Sequence, residues 1–176
     1  EVLNEKGDFV GFNVVIGNPP YMRVQEIQAS QPQQKVFYER NYSNAKAAYD
    51  LANIFFELAV NISGKNSNNA YIFPHKFFNS ASSEVFREYL KKGQYIDEIA
   101  HFGANMVFED ADTYTCVTQF SKNPSLGFNF QRFPFKLNFQ ELMLDRSMYN
   151  FITYDMLDRA SKLYGSNQWI LFDNKL

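Results

Sequence analysis

The stretch Phe12-Asn13-Val14-Val15-Ile16-Gly17-Asn18-Pro19-Pro20-Tyr21 decides how this chain folds. Its first half is a short apolar run, which is typical of a buried strand. Its second half cannot continue as a helix, because proline lacks a backbone N–H and biases the preceding residue towards extended conformations. In an open α/β sheet, ligands bind outside the carboxyl ends of the strands. The stretch therefore predicts an α/β fold with a rigid binding loop at residues 18–21.

The four loop residues are suited to holding a flat ring that forms hydrogen bonds. The Asn18 side chain offers an accepting oxygen and a donating nitrogen. Pro19 and Pro20 fix φ and hold the nearby carbonyls in place, and Tyr21 supplies an aromatic face. Two acceptors that converge on one amino group above an aromatic plane suit an exocyclic amine on a heterocycle. The alternative is an ordinary turn that happens to contain two prolines.

Asn18-Pro19-Pro20-Tyr21 after an apolar strand resembles the signature of amino-methyltransferases that use S-adenosylmethionine. The likeness covers roughly residues 9–122, and its order and spacing are most similar to the methyltransferase region of type IIG restriction–modification enzymes. The further motifs that carry it are Tyr49-Asp50-Leu51 with Phe55, the strand and exit loop Ala70–Phe78, the helix Phe86–Leu90, and Val107-Phe108 followed by Asp112–Val117.

The resemblance implies methyl transfer from S-adenosylmethionine to the exocyclic amine of adenine in double-stranded DNA, with the base flipped out of the duplex. It assigns stacking on that base to Tyr21 and Phe108, and acceptance of the amine hydrogen bonds to the Asn18 side chain and the Pro19 carbonyl. Asn18 and Asp50 would also lie beside the cofactor; helix capping is the alternative role of Asp50. Methylation of a protein glutamine or of ribosomal RNA stays open, as does a non-catalytic recognition or scaffold fragment.

The resemblance has one gap. Ahead of this region the family carries a glycine-rich turn that cradles the methionine part of the cofactor, and an acidic residue for its ribose. The chain has eight glycines, and no two are spaced Gly-x-Gly. We therefore expect an incomplete cofactor site and a fragment that is inactive alone. Residues 1–122 would form a partial methyltransferase domain, and residues 123–176 a connecting segment and the start of a target-recognition region.

The order of strands and helices predicts the later strands of a Rossmann-like methyltransferase sheet, with helices on both faces. Strands at 95–102 and 113–120 would form a terminal antiparallel hairpin. The strand Phe12–Ile16 would leave an exposed apolar edge, which invites pairing with another chain. We expect a homodimer or aggregation through this edge, or its coverage by residues 123–176.

Local signals place the remaining elements. The polar segment 22–48 is either a flexible insertion with a short helix around Lys35–Arg40 or a functional segment near the substrate. Gly64 and the polar residues up to Asn69 predict a turn after an apolar helix, and Ser82 is predicted to cap the helix that follows.

Composition limits the classes of function. The net charge of −2 argues against strong nucleic-acid binding by this chain alone. A single cysteine, Cys116, excludes an internal disulfide and suggests a cytoplasmic protein. No apolar run approaches the ~20 residues of a membrane span. His75, His101 and Cys116 show no metal-site spacing. His75 follows Pro74 at a strand exit, so a site role stays open, and a structural or solvent-facing role is favoured.

Overall fold

The computed structural model of the chain describes residues 2–108, 113–133, 149–164 and 167–171. Its strands are β1 (Phe12–Gly17), β2 (Ser63–Pro74), β3 (Ile96–His101), β4 (Thr115–Phe120), β5 (Gly127–Arg132) and β6 (Asn150–Thr153). Its α-helices are α1 (Val24–Ser30), α2 (Pro32–Asn41), α3 (Leu51–Ile62), α4 (Glu84–Gly93) and α5 (Tyr154–Tyr164). Two short 3-10 helices, His75–Phe78 and Ala81–Ser83, connect β2 to α4.

The strands form one mixed sheet in the order β1-β2-β4-β3-β5-β6. The pairs β1–β2 and β3–β5 are parallel, whereas β4 runs antiparallel to both of its neighbours, β2 and β3. The predicted α/β class and the antiparallel hairpin of β3 and β4 are therefore confirmed. Because β1, β2, β3 and β5 run in the same direction, their carboxyl ends meet at one edge of the sheet, beside the start of β4.

The core is built mainly from aromatic side chains between the sheet and the helices. Phe56 of α3 lies at its centre, with ring centroids 4.2 Å from Phe120, 5.3 Å from Phe86 and 6.2 Å from Phe73. Helices α3, α4 and α5 all contribute buried residues to this one cluster. Burial of each large ring stabilises the fold by about 1.5–3 kcal/mol relative to an exposed ring. Coverage of both faces of the sheet by helices stays a prediction.

Strand β1 lies at the edge of the sheet, as predicted. Its side chains Phe12, Val14 and Ile16 are exposed, Ile16 to 77%. The described residues after 122 add β5, β6 and α5 at the far side of the sheet, so these residues do not cover β1. Pairing of β1 with a second copy of the chain stays a prediction, as does the domain boundary at residue 122.

The insertion between the loop and α3 is packed onto the domain. Its two ends run side by side, since the Val24 N–H donates to the Tyr49 carbonyl and the Leu51 N–H donates to the Met22 carbonyl. Helix α2 confirms the predicted helix around Lys35–Arg40. A second apolar cluster, which includes Val24, Ile27 and Ile54, joins the insertion to α3. The segment is therefore a folded part of the domain.

Two local predictions are wrong. Residues 64–69 belong to β2 and do not form a free turn: Phe12 pairs with Ser63 and Val14 with Asn68, so β2 bulges between them. The bulge passes close to Gly11 (φ +92°), where a Cβ would lie 2.4 Å from the Gly64 nitrogen. Helix α4 begins one residue later than predicted, with Ser83 at the N-cap position, while the Ser82 hydroxyl hydrogen-bonds the Ser80 hydroxyl.

Glu57 fastens the insertion to α3. Its buried carboxylate accepts hydrogen bonds from the backbone N–H groups and the side chains of Ser43 and Asn44, at 2.8 to 3.0 Å. A carboxylate is suited to this position because it only accepts hydrogen bonds and all four partners donate.

Replacing Glu57 with glutamine should lower the free energy of unfolding by about 2 kcal/mol, because the amide brings a donor to face other donors. Urea unfolding followed by circular dichroism measures this loss. Glu39→Gln is the matched control, since Glu39 only forms an exposed ion pair with Lys35 at 2.7 Å. It should cost less than about 0.5 kcal/mol. Equal losses in the two variants would contradict the role given to Glu57.

Candidate functional site

The loop Asn18-Pro19-Pro20-Tyr21 leaves β1 at the edge of the sheet where the parallel strands end. Asn18 and Pro20 are exposed, Pro19 is buried and Tyr21 is half-buried. Within the described residues, the Asn18 side chain forms no hydrogen bond, so its amide is free to bind a ligand. Pro19 and Tyr21 therefore anchor the loop, and Asn18 is exposed to solvent.

Tyr21 is held in one orientation. Its ring packs against the main core, and its hydroxyl donates a hydrogen bond to the Ile72 carbonyl at 3.1 Å. Strand β1 ends at Gly17, which pairs with Tyr71 of β2. The hydrogen bond from Tyr21 to Ile72 therefore continues the contacts between β1 and β2 by one residue. Burial, with a smaller contribution from Cys116, raises the pKa of Tyr21 to about 12. The phenol is therefore neutral at working pH and supplies a rigid, uncharged ring.

A cleft of about 350 Å³ opens beside this ring; we call it the Tyr21 cleft. Its lining comes from the loop after β1, the loop after β2 and the residues before β4, and consists of Tyr21, Arg23, Glu26, Pro74, His75, Lys76, Thr113 and Tyr114. Of the four loop residues, Tyr21 lines this cleft. The cleft combines two tyrosine rings with both acidic and basic side chains.

His75 belongs to a stack of rings along this edge of the sheet. Its ring lies 4.4 Å from that of His101 and 5.6 Å from that of Tyr114, and His101 in turn lies 5.5 Å from Phe78. Burial and the nearby Arg132 lower the pKa of His75. The stack gives His75 the predicted structural role. It also places His75 in the wall of the Tyr21 cleft, and a site role for His75 stays open beside the structural one.

Asp50 lies at the N-cap position of α3, but its side chain does not cap the helix. Its buried carboxylate forms an ion pair with Lys76 at 3.0 Å. The pair joins the start of α3 to the loop after β2. It also lines a neighbouring cleft of about 450 Å³, which shares Arg23, Glu26 and Lys76 with the Tyr21 cleft. The capping alternative is therefore wrong, and a contact between Asp50 and a cofactor stays a prediction.

Phe108, the other aromatic predicted to stack on the base, lies in a bend after β3 and is half-buried. Residues 109–112, which follow it and include part of the predicted motif, lie outside the described residues. The role of Phe108 therefore stays a prediction. The ring that the structure does bring into the same cleft as Tyr21 is that of Tyr114.

Sequence reasoning missed Tyr114 and Lys76. Tyr114 directly precedes β4, and an antiparallel strand starts at the edge where its parallel neighbours end. The His75 N–H also donates to the Tyr114 carbonyl at 3.1 Å, which fixes the two loops together. The predicted hairpin was a usable signal for Tyr114. No sequence pattern paired Lys76 with Asp50.

The geometry can be compared with known proteins. The model of the Eco57I restriction-modification methylase family matches residues 1–108, which is more than half of the chain and includes the tetrapeptide. This chain belongs to that family. Over 119 residues it is 29% identical to the type II restriction enzyme and methyltransferase RM.Eco57I of Escherichia coli, and the match covers 68% of this chain. It covers only 12% of RM.Eco57I, so the chain spans a small part of that relative.

The fold of this Eco57I-family chain is similar to that of solved restriction-modification proteins. A nuclease-deletion mutant of the Type ISP restriction-modification enzyme LlaGI, in complex with a DNA substrate mimic, has a TM-score of 0.57 and 15% identity. That match covers 92% of this chain and 18% of LlaGI. The type I restriction-modification methyltransferase subunit of Streptococcus thermophilus has a TM-score of 0.51 and 19% identity, covering 92% of this chain and 33% of that one.

In the part of the chain that the structure describes, none of the helices has the length and apolar character needed to span a bilayer.

Tyr21 offers a direct test of the cleft in an intact enzyme that contains this chain. Tyr21→Phe keeps the ring and removes one hydrogen bond, and should cost about 0.5–1.5 kcal/mol of stability with little change in binding. Tyr21→Ala removes the ring and should weaken binding of DNA with an extrahelical adenine by about 1–3 kcal/mol. Fluorescence anisotropy measures the affinities. Equal weakening by both variants would contradict a stacking role.

Proposed function

We propose that the chain is part of an S-adenosylmethionine-dependent DNA methyltransferase of a restriction–modification system, and that it methylates the exocyclic N6 of adenine. The observation that carries the proposal is the tetrapeptide loop at the carboxyl edge of the sheet. It combines an uncommitted Asn18 amide with a Tyr21 ring whose orientation is fixed by the Ile72 carbonyl. Membership of the Eco57I restriction-modification methylase family supports the reaction class.

The proposed chemistry requires fixed acceptors and no strong base. The lone pair of an adenine amine is delocalised into the ring, which makes the nitrogen a poor nucleophile. Hydrogen bonds from the amine to the Asn18 side-chain oxygen and the Pro19 carbonyl would localise that pair and stabilise positive charge as it develops on nitrogen. Tyr21 would stack on one face of the flipped base, and Phe108 would stack on the other face of the base. S-adenosylmethionine, when bound, supplies the electrophilic methyl group.

The described residues fit the substrate side of this reaction better than the cofactor side. Asn18 is free to contact both the base and the cofactor. The Asp50 carboxylate pairs with Lys76 through Oδ2, so a second role at the cofactor would fall to its other oxygen, Oδ1. The glycines with positive φ, at positions 7, 11 and 103, form no Gly-x-Gly turn for the methionine part. We propose that this chain acts only within a longer enzyme and is inactive alone.

Double-stranded DNA is the proposed partner. Two of the structurally similar proteins, LlaGI and the Type IIL enzyme MmeI, were solved in complex with DNA or a DNA mimic. Arg23 lines the Tyr21 cleft and can contact a phosphate beside a flipped base, whereas Lys76 in the same cleft is paired with Asp50. We also propose the layout expected from the sequence, with a catalytic part before residue 122 and a connection to a target-recognition region after it.

The test is to incubate an intact enzyme that contains this chain with duplex DNA and labelled S-adenosylmethionine, then to digest the DNA to nucleosides for mass spectrometry. The expected product is N6-methyladenine. N4-methylcytosine instead would contradict the choice of base. Label found only in protein glutamine or in ribosomal RNA would favour those alternatives, and absence of transfer to any of the three would favour a non-catalytic fragment.

A further inference from the structure

A third cleft lies at the same edge of the sheet, beyond His75. It has a volume of about 400 Å³, and we call it the Arg132 cleft. Its lining is aromatic and polar, and its polar members are His75, Asn79, His101, Arg132 and Gln168. Among the described residues that line it, none is acidic. Within this part of the chain the cleft therefore has positive character.

The basic groups converge because three strands end here. His101 is the last residue of β3 and Arg132 is the last residue of β5, and the two residues are paired in the register of these parallel strands. His75 follows the end of β2, and its ring stacks on that of His101 at 4.4 Å. Arg132 is exposed, and among the described residues it forms no ion pair. A guanidinium without a partner, beside two imidazoles, is a favourable place for an anion.

His101 contributes a donor to this cleft. The Gly103 N–H donates to its Nδ1 at 2.9 Å, so the neutral ring carries its proton on Nε2. The titratable groups around it are His75 before α4, Arg132 on β5 and Cys116 on β4, directly opposite. Burial raises the pKa of Cys116 to about 12, so that thiol is neutral. Burial, then His75 and Arg132, lower the pKa of His101 to about 4.

We propose that the Arg132 cleft holds a backbone phosphate of the bound DNA, an inference that rests on the proposed DNA methyltransferase function. Arginine binds phosphate through two parallel hydrogen bonds, and the phosphate supplies a counter-charge to the basic groups of the cleft. His75 lines both this cleft and the Tyr21 cleft, so the phosphate belongs to a nucleotide near the flipped base. Phosphate contacts of this kind fix the register of a protein on its DNA.

The first test measures how DNA affinity depends on salt, in an intact enzyme that contains this chain. Arg132→Gln should reduce the slope of log affinity against log salt concentration by about 0.9, the contribution of one phosphate contact. The control is Arg159→Gln, because Arg159 is exposed on α5 and pairs with Asp155 within the same helix. It should leave the slope unchanged. Circular dichroism confirms that each variant is folded.

The second test follows the imidazole resonances of His75 and His101 in an intact enzyme that contains this chain, assigned by comparison with His101→Phe. Dimethyl phosphate is the probe, since it carries the single charge of a backbone phosphate. An anion beside an imidazole favours the protonated ring, so the probe should raise the pKa of His101 above its free value of about 4. Arg132→Gln should abolish this shift, and Arg159→Gln should preserve it.

Linkage then fixes the sign of the pH dependence. If binding raises the pKa of His101, binding takes up a proton, and DNA affinity rises as pH falls from the pKa of the complex to the pKa of the free protein. His101→Phe, which keeps a ring in the stack, should remove this part of the pH dependence.

Two outcomes would overturn the inference: an unchanged salt slope in Arg132→Gln, or a His101 titration that the probe does not move. Failure of the proposed function looks different, because the wild-type enzyme would then fail to bind or methylate DNA before any variant is compared.

Discussion

Replacing Asn18 with alanine should reduce methyl transfer to adenine by roughly 10²- to 10³-fold or more, the cost of losing one preorganised polar group at a reacting centre. The structure explains why the effect should fall on the chemical step. Asn18 is exposed and, among the described residues, its amide forms no hydrogen bond that the fold requires. The substitution should therefore change the free energy of unfolding by no more than about 0.5 kcal/mol.

The measurement pairs single-turnover methyl transfer with duplex binding, in an intact enzyme that contains this chain. Binding should be unchanged, because the proposed DNA contacts come from other residues. Asn13→Ala is the matched control: Asn13 is also exposed and lies on the same strand, β1, but precedes the loop. It should retain the wild-type rate. Methylation of adenine at the wild-type rate by Asn18→Ala would exclude Asn18 from the reaction.

Replacing Arg87 with methionine should lower the free energy of unfolding by about 3–5 kcal/mol, because three carbonyl groups lose a charged donor at once. Arg87 is only 3% exposed, and its guanidinium donates to the carbonyls of Phe77, Ser80 and Asn167, each at 2.7 Å. Arg87 therefore links α4 to the loop after β2 and to residues 167–171. That loop carries His75 and Lys76 into the clefts.

Urea unfolding measures this loss of stability, and two further variants serve as comparisons. Arg159→Met removes an arginine that is 80% exposed, and should cost less than about 0.5 kcal/mol. Arg87→Lys keeps the charge, but an ammonium group lacks the planar geometry with which the guanidinium reaches the three carbonyls. The stability of Arg87→Lys should therefore lie between those of Arg87→Met and Arg159→Met. A loss for Arg87→Met no larger than for Arg159→Met would show that the three hydrogen bonds contribute little.

Local chemistry made several elements predictable from the sequence. Pro19 and Pro20 stop β1 whatever surrounds them, because they lack N–H donors. The apolar face of α3 and the helix at Tyr154–Tyr164 follow from residues spaced along single helices. The strands of the β3–β4 hairpin are rich in β-branched and aromatic residues, and their pairing was predicted correctly. For the loop and the helices, the deciding interactions lie within a few residues of one another, and for the hairpin they join two strands that follow each other in the chain.

The errors arose where distant contacts outweighed local preference. Residues 64–69 have the composition of a turn, but pairing with β1 and β4 draws them into β2. Asp50 has the position of a helix cap, but its carboxylate pairs with Lys76, which lies 26 residues further along the chain. The position of His75 after Pro74 was a local signal, but its neighbours in the stack come from β3 and from the residues before β4, which the sequence did not bring together.

The sequence by itself determined the loop after β1 and the class of fold, because proline geometry and apolar periodicity act through neighbouring residues. Only the tertiary structure decided which side chains meet that loop. The insertion of β4 between β2 and β3 brings Tyr114 into the same cleft as Tyr21, and the parallel pairing of β3 and β5 sets Arg132 beside His101. Strand order depends on the packing of the whole sheet, so no single stretch of sequence encodes it.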